Sequence, residues 1–161
     1  NDVIIAGCSS GLIRSTDKGE HWTQVLTDDR GTSTTKVIEG RFFAISLRSN
    51  EWKDKMAYAG KLANKLRYSD DLGLTWKRMD EHLLPVDLNV SIANQSSTGQ
   101  VINDIIQVGD VLVCCVGNVI YRSTDKGQSG QAVLTGSKEN RRFEFVKKKK
   151  KIYAMSVNSG C

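Results

Sequence analysis

No apolar run in this sequence exceeds six residues; the longest is Val111-Leu112-Val113-Cys114-Cys115-Val116. A helix that spans a bilayer needs about 20, so no segment reads as a membrane span. Histidine is nearly missing: His21 and His82 are the only two, and neither lies near a cysteine. The four cysteines, Cys8, Cys114, Cys115 and Cys161, form no CxxC pair. That excludes the usual zinc spacings, and no metal or other cofactor is expected. Cys114 and Cys115 fall in the apolar run and read as buried thiols. A Cys8–Cys161 pair requires the chain ends to meet, which leaves the redox compartment open. No Gly-rich phosphate loop is present, since the stretch from Gly109 to Gly117 has neither the lysine nor the following helix. The chain starts Asn1-Asp2 with no charged-then-apolar leader, so any signal peptide is expected to have been removed or not included.

Aromatic residues are also few, at 7%. The formal net charge of +5 equals the charge of one run, Lys147-Lys148-Lys149-Lys150-Lys151, and the rest of the chain is balanced. A nucleic-acid surface spreads its basic residues over a face and interleaves aromatics. One short run does neither, so a nucleic-acid partner is not expected and the run reads as a solvated loop. Hydrophobic residues make up 39% and charged residues 25%, which is ordinary for a globular chain and excludes disordered and collagen-like classes. The sequons Asn89-Val90-Ser91 and Asn94-Gln95-Ser96 are no more than chance supplies.

What the sequence does contain is a repeat. Leu12-Ile13-Arg14-Ser15-Thr16-Asp17-Lys18-Gly19-Glu20-His21-Trp22 aligns with Leu66-Arg67-Tyr68-Ser69-Asp70-Asp71-Leu72-Gly73-Leu74-Thr75-Trp76. Both align with the segment from Ile120 to Gly130. The shared pattern is Ser-x-Asp-x-Gly-x-x-Trp, with Ser at 15, 69 and 123, a spacing of 54 both times. The residues before each Ser read as a strand. Ser and Asp side chains accept turn N–H groups, Gly supplies a positive φ, and the Trp opens the returning strand and packs over the hairpin. The third copy has Ser123, Asp125 and Gly127 but Gly130 in the Trp place, so it is expected to be the least stable hairpin.

Between the motifs the pattern is again β. Val101 to Val108, Val111 to Val116 and Val119 to Ser123 read as strands joined at Gly109-Asp110 and Gly117-Asn118, an antiparallel meander. Lys36 to Ile45 reads as two strands about Gly40, followed by a charged insertion, Ser49 to Lys55, and the run Met56 to Gly60. Asp2 to Cys8 reads as an inner strand of a first sheet. Arg142 to Val146 and Ile152 to Ser156 read as the first two strands of a last one. Five lysines fall where the preceding repeat has its tight turn, a place they suit poorly.

These three motifs resemble the Asp-box, or BNR (bacterial neuraminidase) repeat, of sialidase-like, sortilin-like and photosystem-assembly-factor-like β-propellers. The matching residues are Ser15, Asp17, Gly19 and Trp22; Ser69, Asp71, Gly73 and Trp76; and Ser123, Asp125 and Gly127. The resemblance implies an all-β fold of four-stranded antiparallel blades. Residues 1–161 then form a single propeller segment, with blades at 1–30 (partial), 34–80, 101–136 and 141–161 (partial). That is about three blades, and closed propellers usually have 4–8. The expectation is therefore either that this is part of a longer chain or that two copies complete a ring.

In that family the box is structural, which makes the three Asp residues turn-formers and leaves no residue assigned as catalytic. A sialidase-like site needs an arginine triad for a carboxylate and a Tyr–Glu nucleophile pair. The Arg-Ile-Pro-type motif is absent, as the sole proline is Pro85, and Arg14 and Arg122 occupy one repeat position. The leading reading is thus a non-catalytic binding or scaffold propeller, extracytoplasmic, recognising a protein or glycan through loops between blades. Trp52, in the charged insertion, is the candidate binding residue. The alternative is a piece of a sialidase-like glycoside hydrolase whose catalytic residues lie mostly elsewhere.

Overall fold

A computed structural model of the chain describes residues 2–28, 31–46, 64–83, 101–136, 142–149 and 151–157. It is all-β apart from one short helix, and its strands form separate antiparallel sheets. Two compact units divide the chain: Asn1–Asn50 with Asn64–Met79, and Glu51–Ala63 with Asp80–Cys161.

In the first unit, β1 (Ile4–Cys8), β2 (Gly11–Ser15) and β3 (Thr23–Thr27) form a three-stranded sheet in that order. Beside it, β4 (Thr32–Ile38), β5 (Arg41–Ser46), β6 (Leu66–Ser69) and β7 (Lys77–Arg78) form a four-stranded one. In the second unit, α1 (Asp80–Leu83) precedes β8 (Ile102–Val108), β9 (Val111–Val116), β10 (Val119–Ser123) and β11 (Gln131–Thr135), a second four-stranded meander. The hairpin of β12 (Phe143–Lys148) and β13 (Lys151–Ser156) completes it.

In both full sheets the second strand is largely buried and the last is exposed. The second strand is buried on both faces, as in Phe42-Phe43-Ala44-Ile45 and in Cys114-Cys115-Val116. The last strand is open to water: β11 is exposed along its whole length and β7 at both residues. A strand covered on two sides needs a continuous apolar run, and an edge strand needs polar side chains. β7 (Lys77–Arg78) follows this rule, whereas β11 exposes Val133 and Leu134.

β1 matches the second strand of the four-stranded sheets in sequence position, although it is the first strand of its own three-stranded sheet. Its turn into β2 at Ser9-Ser10 corresponds to Gly117-Asn118, between β9 and β10. The 54-residue spacing has two unrelated origins. Between the first and second motifs the added sequence is 47–65, between β5 and β6; between the second and third it is 79–101, between β7 and β8 and including α1. Met56 to Gly60 and Trp52 fall in the first of these, outside the described residues, as does Pro85 in the second.

Within the first unit the two sheets sit face to face. A Cβ on Gly7 would stand 2.6 Å from the Thr32 carbonyl oxygen, so the glycine permits β1 to approach β4 closely. Arg14 donates from Nε to the Leu72 carbonyl at 2.8 Å. Asp28, fully buried at its side chain, meets Arg67 at 2.5 Å and Lys65 at 3.4 Å. Its backbone N–H also donates to Ser10 O at 2.9 Å. This carboxylate sets one negative charge between two cations that β6 and its approach bring to the contact.

Within the second unit Ile106, Cys115 and Ile120 pack against Phe143 and Phe145, with Val113 and Ile152 at the margin. Two bonds sew the sheets together: Phe145 N–H donates to Asp104 Oδ2 at 2.8 Å, and Phe143 N–H to Cys115 Sγ at 3.3 Å. Burial pushes the thiols of Cys114 and Cys115 up. These are the buried free thiols that the apolar run implies. The lysine run does form the tight turn: Lys148 pairs with Lys151, and Lys149 takes φ 56°. A left-handed backbone costs a non-glycine residue about 1–2 kcal/mol, and the two paired strands hold it there.

Replacing Asp28 by Ala strands the Arg67 and Lys65 charges in a buried contact. The expected loss is about 3–5 kcal/mol of unfolding free energy, read from the urea midpoint. A change below about 1 kcal/mol contradicts a load on this carboxylate.

Candidate functional site

The three Ser-x-Asp-x-Gly motifs fold into one geometry. Each begins at the last residue of the strand before its sheet's last (β2, β6 or β10), where Ser15, Ser69 and Ser123 are buried. The Ser hydroxyl donates to the Asp carboxylate at 2.7, 2.7 and 2.6 Å. The same oxygen accepts the N–H of Gly19, Gly73 or Gly127 at 2.9, 2.8 and 2.9 Å. One buried atom thus ties both ends of the turn.

The Asp carboxylate then takes the far side of the turn. Asp17 accepts His21 N–H at 2.9 Å, Asp71 accepts Thr75 N–H at 2.9 Å, and Asp125 accepts Ser129 N–H at 2.9 Å. A side chain at that same position adds a second bond: His21 Nδ1 at 2.6 Å, Thr75 Oγ1 at 2.5 Å and Ser129 Oγ at 2.6 Å. Two successive residues in each turn hold positive φ: Lys18 and Gly19, Leu72 and Gly73, Lys126 and Gly127. The glycine was legible as such; the residue before it was not, because lysine and leucine carry no preference for that backbone.

These bonds stabilise the charged carboxylates. The His21 N–H, followed by the Ser15 hydroxyl and the His21 ring, lowers Asp17 to about 2. Asp71 is lowered by the Thr75 hydroxyl and N–H and by Ser69. Asp125 is lowered by Ser123 and then by the Ser129 hydroxyl and N–H.

Asp17, Glu20 and His21 place ligand-type atoms within 4.8 Å of one another. The other two motifs explain the arrangement without an ion. Thr75 and Ser129 stand where His21 stands and make its bond, and Glu20 is replaced by Leu74 and Gln128. The imidazole is a third kind of donor to the same oxygen.

Trp22 and Trp76 fold back over their own turns, donating from Nε1 to the Gly19 and Gly73 carbonyls at 2.9 and 3.2 Å. Trp22 remains 41% exposed, so it buries less area than a hairpin staple implies. The third motif differs from expectation. A Cβ on Gly130 would lie 2.0 Å from the Leu83 carbonyl oxygen, and Leu83 is fully buried. The α1 backbone occupies the space that a Trp takes elsewhere. Gly130 is therefore a packing requirement where α1 approaches the third motif.

Trp52 lies outside the described residues, so no site is built around it here. No protein-family model matches the chain, and no curated protein matches it in sequence.

Two outcomes follow from the turns. A folded carboxylate below its unfolded value of about 3.9 stabilises the fold above that pH, and this is lost as pH falls through the folded value. For Asp17 the window runs from about pH 4 down to about 2. Trp fluorescence should begin to report loosened turns in that window, and Asp17→Asn should flatten the dependence of Trp22. An unaltered acid titration in that variant contradicts the assignment. For the third hairpin, Gly130→Trp should destabilise by about 1–3 kcal/mol through overpacking and not repair a missing staple. A rise in thermal midpoint overturns the Leu83 account.

Proposed function

We propose that this chain is a non-catalytic binding or scaffold element of an Asp-box β-propeller, recognising a protein or glycan through the links between its sheets. The observation that carries this reading is the commitment of all three repeated carboxylates to their own turns. Asp17, Asp71 and Asp125 each accept a hydroxyl and N–H groups from within the motif. A carboxylate so engaged, and held ionised by those donors, is a poor proton donor to a glycosidic oxygen, which needs a raised pKa.

The scaffold supports binding by what it leaves free. The turns within the described sheets are short, whereas much more sequence separates β5 from β6 and β7 from β8. Long connections on a rigid β framework are where recognition residues concentrate. Trp52 falls between β5 and β6 in sequence and offers a flat apolar ring with one donor, suited to a sugar face or a protein pocket.

The test pairs turnover with binding. The isolated protein is expected to leave a fluorogenic sialoside and neutral fluorogenic glycosides intact. It is also expected to bind a definable class on a glycan array, with Trp52→Ala weakening that signal about tenfold or more. Sialoside turnover would replace this reading with that of a sialidase-like glycoside hydrolase. Array binding indifferent to Trp52→Ala would remove that residue from the site.

A further inference from the structure

Three hairpins close in two-residue turns at matching places in the repeat. β4 meets β5 across Glu39-Gly40, β8 meets β9 across Gly109-Asp110, and β12 meets β13 across residues 149–150. In both complete four-stranded sheets this turn is exposed, and a Cβ on Gly40 or Gly109 would meet nothing within 4 Å among the described residues. Exposure is therefore a property of the turn's place in the repeat. What fills the place differs. Two of the turns carry the glycine that a left-handed backbone favours. The third carries only lysine, in the turn and on both flanks, from Lys147 to Lys151.

That choice works against the fold in two ways. Lys149 holds φ 56°, a backbone that a side chain disfavours. Lys148 and Lys151 stand directly opposite one another, and like charges so placed destabilise a strand pair. Charges at the other two turns are matched instead. Arg41 meets Asp70 at 2.7 Å, and Asp110 meets Lys126 at 3.3 Å, each a single pair with the motif turn of its own sheet. One pair of that kind would leave most of a five-lysine run uncompensated. Residues that break a local rule without stabilising their own structure are expected where a ligand is met.

The shape of the tip narrows the ligand. Lys148 and Lys151 share one face of the hairpin, Lys147 stands on the other, opposite Ile152, and Lys149 caps the turn. All four are exposed. A flat anionic surface meets one face at a time, whereas a flexible chain of anions passes over the tip and touches both. A single-stranded nucleic acid draws on aromatic stacking, but the run holds no aromatic residue and Phe145 before it is buried. Lysine ammonium groups are compact point charges without a planar fork, which suits separate sulfate groups along a chain.

We infer that the tip of the β12–β13 hairpin binds a linear sulfated polysaccharide through Lys147, Lys148, Lys149 and Lys151. The site rests on this hairpin alone, apart from Trp52 and from the blade reading.

The experiment titrates the isolated protein with heparin as the probe at physiological salt. Binding is expected to fall steeply as salt rises and to vanish with desulfated heparin. Lys148→Gln with Lys151→Gln should weaken it about tenfold or more. The thermal midpoint of that variant should hold or rise, because the opposed like charges are gone. Lys18→Gln with Lys77→Gln removes the same charge from exposed positions elsewhere and should leave binding nearly unchanged. Equal weakening by both double variants overturns the inference, since net charge alone would then explain it. A lower midpoint in the first variant overturns it too, by giving the lysines to the turn. So does an absence of heparin binding while motif tryptophan fluorescence is that of the folded state, and the scaffold reading then still stands. Tighter binding to oligo-dT, or to phosphatidylcholine vesicles containing phosphatidylserine, would hand the tip to a nucleic acid or a membrane instead.

Discussion

The hydroxyl oxygen of one buried serine holds each hairpin of this protein in shape. It donates to an aspartate two residues on and accepts the glycine N–H four residues on. A buried hydroxyl without partners would cost roughly 1–3 kcal/mol, so its geometry is tightly constrained. The aspartate passes the constraint across the turn to the residue two before the returning strand. Three sheets take their last two strands from this unit.

Sheets built this way need only small adjustments to stack. Gly7 lets β1 lie against β4, Asp104 and Cys115 reach the backbone of β12, and Asp28 gathers two cations at a sheet contact. Gly130 shows the same economy. Where α1 comes close, the repeat gives up its large ring and the Leu83 backbone takes the space. Register irregularities recur at equivalent places too, at Leu12/Ile13 and Ile120/Tyr121 and at Thr32/Thr34 and Ile102/Asp104. The deviations from regular pairing are therefore part of the repeat and not accidents of one sheet.

Much of this was legible from residues alone, where the cause is local. Ser, Asp and Gly at fixed offsets specify a turn, and alternating or continuous apolar runs specify the antiparallel strands around it. Less was legible where the cause is distant in sequence. Nothing near Gly130 announces that Leu83 lies against it. Nothing near Asp28 points to Arg67, nearly forty residues away. The constant spacing of 54 suggested a single blade length, but the added sequence falls at two different places. The lysine run suggested a loop, yet pairing of Phe143–Lys148 with Lys151–Ser156 imposes a tight turn on it. The binding candidate Trp52 was read from its polar surroundings, and its link lies outside the described residues.

The account makes the serine–aspartate turn the common element of all three hairpins, with the third as secure as the others despite its missing tryptophan. Amide hydrogen exchange at Gly19, Gly73 and Gly127 tests this directly, since each of these N–H groups is bonded to the motif serine. Slow exchange at all three, with Gly127 protected as well as Gly19 and Gly73, is the predicted result. Fast exchange at Gly127 beside slow exchange at the other two would contradict it, returning the tryptophan, and not the serine and aspartate, to the role of holding the turn.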